Sequence, residues 1–204
     1  MAYFEKSLQA VATLDSVLTT ANETFRTEQK KLLATLKDPT KQIGEMRKAL
    51  TETEAEQKRI FRETVQAEFA AVRAKVNAVV TNAPPADFLA TLEAIKANGK
   101  NITDYEAAAF MEKYKGNYFA FRTLHEVLTK AGRDLDCYVM YPDRMAREID
   151  EGEKMLLNWG REWKGSNYMG ALLQNRTNPI TYLAERVQKF TEGKFTAEPE
   201  ISQS

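Results

Sequence analysis

The chain has 204 residues, with 29 basic and 29 acidic side chains for a formal net charge of zero, and only one Cys and one His. That inventory excludes a disulfide scaffold, a zinc site with the usual ligand count, and a Ser-His-Asp site with spare histidines. At 43% hydrophobic and 28% charged residues the composition is that of a globular protein, and no stretch approaches the roughly 18 apolar residues of a membrane span.

The N-terminal residues Met1-Ala-Tyr-Phe-Glu-Lys show no basic region followed by an apolar stretch, so no signal peptide is expected. A single cysteine fits a reducing compartment, and the expected location is the cytoplasm. Charge is also balanced along the chain: residues 1–83 carry 13 basic and 11 acidic side chains, residues 84–204 carry 16 and 18. Neither half has the basic excess that condenses on phosphates.

Residues 3–37 read as a long helix. Phe4, Val11, Leu18, Phe25 and Leu32 recur every seven residues, whereas the partner series Leu8, Asp15, Asn22, Gln29 and Leu36 is interrupted by polar residues. Such interruptions can fix register and partner number at a cost in stability. Asp38-Pro39-Thr40 stops this helix, because proline lacks an amide donor and disfavours helix in the residue before it. A second helix is expected from about 40 to 82, roughly 60 Å long. Its first half is charged, with Leu50 the only large apolar residue between Arg47 and Arg59; its second half carries Phe61, Val65, Phe69, Val72, Val76 and Val79. The short link predicts an antiparallel hairpin.

Asn82-Ala-Pro-Pro is the expected domain boundary. Beyond it, shorter helices are expected over 86–97, from the Thr103-Asp-Tyr-Glu106 capping box to Gly116, and over 118–131. Residues 134–141 are apolar without helical period and read as an extended linker or short helix, since one strand has nowhere to pair unless a partner chain supplies an edge. Helices then follow over 142–163, from Ser166 to about 175, and from Asn178-Pro179 to Gly193. Residues 194–204 read as a flexible tail. The expected fold is therefore all-α: a long hairpin over 1–83, a compact multi-helix domain over 84–193, and the tail.

Candidate chemistry is sparse. His125-Glu126 begins a zinc-protease pattern, but Thr129 stands where the second histidine belongs, and Arg122 breaks the di-iron pattern. Nothing places Cys137 beside His125, and Glu148 to Glu153 form an ordinary acidic helix surface with Asp150 facing Lys154. The glycines sit at or near helix ends and make no phosphate loop. No enzyme activity, catalytic residue, metal or cofactor is expected.

Lys113 to Arg122, with Lys115, Tyr118, Phe119 and Phe121, interleaves cations and aromatics as a base-stacking surface does, so Lys113, Lys115, Tyr118 and Arg122 are the candidate nucleic-acid contacts. The competing reading, a helix–Gly–helix corner with the aromatics inward, fits the flanks better. Trp159, Arg161, Trp163, Tyr168 and Arg176 would suit a small anionic, nucleotide-like ligand through stacking and guanidinium contacts; core packing is the simpler role for the tryptophans.

The segment Tyr105 to Arg133, with Phe110-Met-Glu-Lys-Tyr-Lys-Gly-Asn-Tyr-Phe-Ala-Phe-Arg122, resembles helical proteins carried by tailed phages and prophages. The resemblance covers about 30 residues, without a diagnostic motif, and implies a helical protein at work in a host cytoplasm. Long self-associating helices also resemble capsid scaffolding proteins, but Glu198-Pro-Glu200 is mildly acidic where those carry a basic helix-loop-helix.

The function expected is a non-enzymatic assembly or adaptor protein whose partners are a second copy of itself and another protein. Phe4, Val11, Leu18, Phe25, Leu32, Phe61 and Phe69 are the candidate interface, packed in cis or in trans. A sequestering or inhibitory binder of a small anion is the alternative, and a nucleic-acid binder the further one.

Overall fold

The computed structural model describes residues 3–133, 135, 138–163 and 179–197. Its helices are α1 (Glu5–Thr35), α2 (Thr40–Val80), α3 (Phe88–Asn98), α4 (Asp104–Tyr114), α5 (Tyr118–Lys130), α6 (Pro142–Arg161) and α7 (Pro179–Thr191). The fold is all-α, apart from a two-residue antiparallel pairing of β1 (Tyr138–Val139) with β2 (Thr196–Ala197). The expected helix from Ser166 to about 175 lies outside the described residues, as does Cys137.

The chain forms two compact units that do not follow the Asn82–Pro85 boundary. One comprises residues 1–71 and 149–184, the other 72–148 and 185–204, so the divisions fall inside α2, α6 and α7.

In the first unit α1 and α2 run antiparallel. Register is fixed at the base by Glu68, which accepts hydrogen bonds from the backbone N–H of Lys6 (3.2 Å), the backbone N–H of Ser7 (2.6 Å) and the Ser7 hydroxyl (2.6 Å). A carboxylate from α2 thus caps the N-terminus of α1, where amides lack helical partners and the helix dipole favours negative charge. Phe4, just before α1, sits at φ 66°, a left-handed conformation unusual for a bulky residue, with its buried ring 4.5 Å from that of Phe69. Farther out, Asn22 Nδ2 donates to Glu54 Oε1 at 3.4 Å and to the Leu18 carbonyl at 2.8 Å.

The second half of α6 packs on this base through small residues. A Cβ at Gly160 would lie 2.3 Å from the Phe61 ring, and one at Gly152 would lie 3.1 Å from Ile180 and 3.4 Å from Phe69. Trp159 meets Phe61 edge-on at 5.6 Å, and Trp163 Nε1 donates to Asp15 Oδ1 at 2.8 Å. These contacts join the described residues of α6 from Gly152 onward, and Ile180 of α7, to the hairpin in one unit. They also answer the polar Asp15 in the seam of α1, which receives an indole N–H.

In the second unit the Thr103–Glu106 capping box forms as expected, with the Thr103 N–H donating to Glu106 at 2.8 Å and the Glu106 N–H donating to the Thr103 hydroxyl at 3.2 Å. Asn117 opens α5: its side-chain oxygen accepts from the Ala120 N–H at 2.9 Å, and its amide donates to the carbonyls of Asn82 (3.2 Å) and Ala83 (2.9 Å). The Pro-rich link is therefore tied to the start of α5.

The expected tail is corrected over Lys194–Ala197, while 198–204 lie outside the described residues. Lys194 to Ala197 turn back so that β2 pairs with β1, and the Met140 N–H donates to the Phe195 carbonyl at 2.8 Å. The edge that the sequence left without a partner is supplied by the same chain. Phe195 is buried, 5.3 Å from Tyr118, 5.9 Å from Phe121 and 5.3 Å from Phe190, forming the aromatic core of this unit.

Candidate functional site

Two features of the first unit stand out. The first is the outer half of the hairpin. Between Thr19 and Ile60 no side chain of either helix is buried. The register set by Ser7–Glu68 and Asn22–Glu54 brings Phe25 level with Leu50 and Leu32 level with Ile43, yet Phe25, Leu32, Ile43, Met46 and Leu50 all remain partly exposed. Flanking them, Leu33 is 59% exposed and Leu36 41%. Two helices cover only one side of each other's apolar edge, so the seam stays open to solvent. Some of the charges around it pair within their own helix: Lys31–Glu28 at 2.5 Å, Lys48–Glu52 at 3.9 Å, and Arg59 with Glu56 and Glu63 at 2.7 Å each. Residues 19–57 carry seven basic and seven acidic side chains.

The second is a groove of about 370 Å³ between α2 and α6, lined by Lys58, Phe61, Arg62, Lys154, Leu157, Asn158, Gly160 and Arg161. Four cations line it and no carboxylate does. Arg161 pairs with Glu162 at 3.1 Å, while Lys58, Arg62 and Lys154 make no ion pair among the described residues. On α2 the neighbouring Glu56 and Glu63 are committed to Arg59, and hydrogen bonding to Arg59 holds the Glu56 carboxyl below its ordinary range.

Of the interface residues, Phe4, Val11, Leu18, Phe61 and Phe69 are buried within the chain itself, and only Phe25 and Leu32 lie on the open seam. Of the ligand candidates, Arg161 lines the groove, Trp159 packs on Phe61, and Trp163 is held by Asp15. Tyr168 and Arg176 lie outside the described residues. Lys58, Arg62 and Lys154 escaped sequence reading because their spacing within α2 and α6 is that of any solvated helix face.

The candidate nucleic-acid contacts are each occupied. Lys113 pairs with Asp87 at 2.5 Å, Lys115 with Glu112, and Arg122 with Glu126 at 2.9 Å. The pairing lowers the Asp87 carboxyl and raises the Lys113 ammonium from their ordinary ranges. Tyr118 is buried against Phe190 and Phe195, and that burial raises its phenol, with Arg122 opposing in part. The corner is a packed one, with the aromatics Tyr118 and Phe121 inward. His125 is partly buried on α5.

Among the described residues no group of three or more His, Cys, Asp or Glu is placed to hold a metal ion, and no helix is long and apolar enough to cross a membrane. No protein-family model, curated protein or solved structure matches the chain.

Proposed function

We propose that the protein is a non-enzymatic helical assembly protein whose outer hairpin pairs with that of a second copy, closing a four-helix bundle. The observation that carries this reading is the open seam, from Phe25 and Leu32 on α1 to Ile43, Met46 and Leu50 on α2, flanked by exposed Leu33 and Leu36. A second hairpin would cover those edges with the packing of an antiparallel bundle. Equal numbers of basic and acidic residues over 19–57 leave no net charge to repel an identical arm. The Asn22–Glu54 contact would hold register as seam polar residues do.

In this reading the second unit is the adaptor, offering another protein the exposed Leu89 and Phe119. The likeness of Tyr105 to Arg133 to helical phage proteins supports a phage or prophage origin and a place in the host cytoplasm.

The test is a pair of substitutions at side chains that lie partly in solvent in the single chain. Leu33→Lys with Leu36→Lys should leave helicity unchanged by circular dichroism and weaken self-association in sedimentation equilibrium by at least tenfold. Self-association of unchanged strength would contradict the proposal.

A further inference from the structure

We infer that the groove between α2 and α6 binds a small organic phosphate carrying two or three negative charges and a flat apolar portion, a nucleoside diphosphate being the type. The inference stands on observations separate from those behind self-association, since no groove residue lies on the open seam.

Lys58 and Arg62 lie one turn apart on α2, and Lys154, Asn158 and Arg161 follow at spacings of four and three on α6, so both helices turn a cationic face to one cleft. In a chain of 29 basic and 29 acidic residues, gathering four cations without a lining carboxylate is a local departure from an otherwise even distribution. Like charges held together repel, and an anion is what relieves that repulsion. Arg62 and Arg161 offer planar forks suited to phosphate oxygens, and the two lysines offer point charges. The apolar part of the lining is Phe61, Leu157 and Gly160. Gly160 is essential to that shape, because any side chain there would drive into the Phe61 ring. The volume of about 370 Å³ falls at the lower end of small-ligand clefts, which run from about 300 to 1,000 Å³, and suits a single nucleotide rather than a polymer.

The experiment is calorimetric titration of the full chain with ADP, with UDP, with inorganic pyrophosphate and with a single-stranded oligonucleotide, at about 50 and 200 mM salt. The expected result is binding of ADP or UDP at least tenfold tighter than pyrophosphate and weakened by salt. Arg62→Glu with Lys154→Glu should weaken it a further tenfold or more at unchanged helicity and unchanged oligomeric mass. Both side chains are exposed and without ion pairs among the described residues, so the variant should fold. Absence of nucleotide binding at millimolar concentration would overturn the inference. So would pyrophosphate binding equal to that of the nucleotides, nucleotide binding unchanged in the double variant, or an oligonucleotide that binds more tightly than ADP and competes with it.

Discussion

Glu68 does for α1 what no residue of α1 does for itself. The residue before the helix is Phe4, which has no capping oxygen, and the carboxylate arrives from α2 to take three hydrogen bonds. Glu68→Ala should therefore cost about 1–2 kcal/mol in denaturant unfolding, the cost of a lost N-cap, although it is remote in sequence. Glycines give a paired expectation with opposite signs. Gly44 lies within α2 with open space around its Cα, so Gly44→Ala should stabilise by about 0.5–1 kcal/mol. Gly160→Ala gains the same propensity but meets the Phe61 ring, and should destabilise by about 1–3 kcal/mol. Glu106 supplies the pH dependence. Hydrogen bonds from the Thr103 N–H and hydroxyl lower its carboxyl below the ordinary value in the folded state. Its contribution is thus present above the unfolded glutamate range and lost as pH falls through the lowered folded value. Thermal melts between about pH 6 and pH 3 should show Glu106→Gln losing less stability on acidification than the parent.

At the scale of elements, the tail is the least expected part of the second unit. Phe195 completes a cluster with Tyr118, Phe121 and Phe190, and Phe195→Ala should cost about 3–5 kcal/mol by thermal or denaturant melting. The helices themselves were legible because their signals are local: the seven-residue series from Phe4 to Leu32, the Pro39 break, the Thr103–Glu106 box and Pro142. Pairing of Tyr138–Val139 with Thr196–Ala197 was not, because a two-residue ladder between distant segments leaves no periodicity to read. The division into units was hidden for a related reason. Gly152 and Gly160 carry no hydrophobic signal, yet their lack of a side chain lets α6 approach Phe69 and Phe61. The heptad series has the spacing of an interface, but its inner members Phe4, Val11 and Leu18 are consumed by packing within the chain, which leaves only Phe25 and Leu32 on the open seam. Of the groove, Arg161 alone is legible in the sequence as a ligand candidate, because the remaining cations become a site only when α2 and α6 face each other.

At the scale of the whole molecule, balanced charge and a half-covered hairpin point the same way. A chain with zero net charge has little long-range repulsion to keep copies apart, and in the proposed assembly the open seam would supply the short-range attraction. Self-association through the outer hairpin should then be insensitive to salt, because the contact is apolar and its arm carries no net charge over 19–57. Binding in the groove should respond to salt in the opposite sense, weakening as it rises, so one salt series separates the two surfaces. The most direct test of the assembly reading is the mass of the untagged protein by size-exclusion chromatography with light scattering, over a dilution series at two salt concentrations. A paired hairpin should give a species of twice the 23.2 kDa chain mass that persists at high salt and dissociates only on dilution. A fully helical protein of 23.2 kDa at every concentration would contradict it.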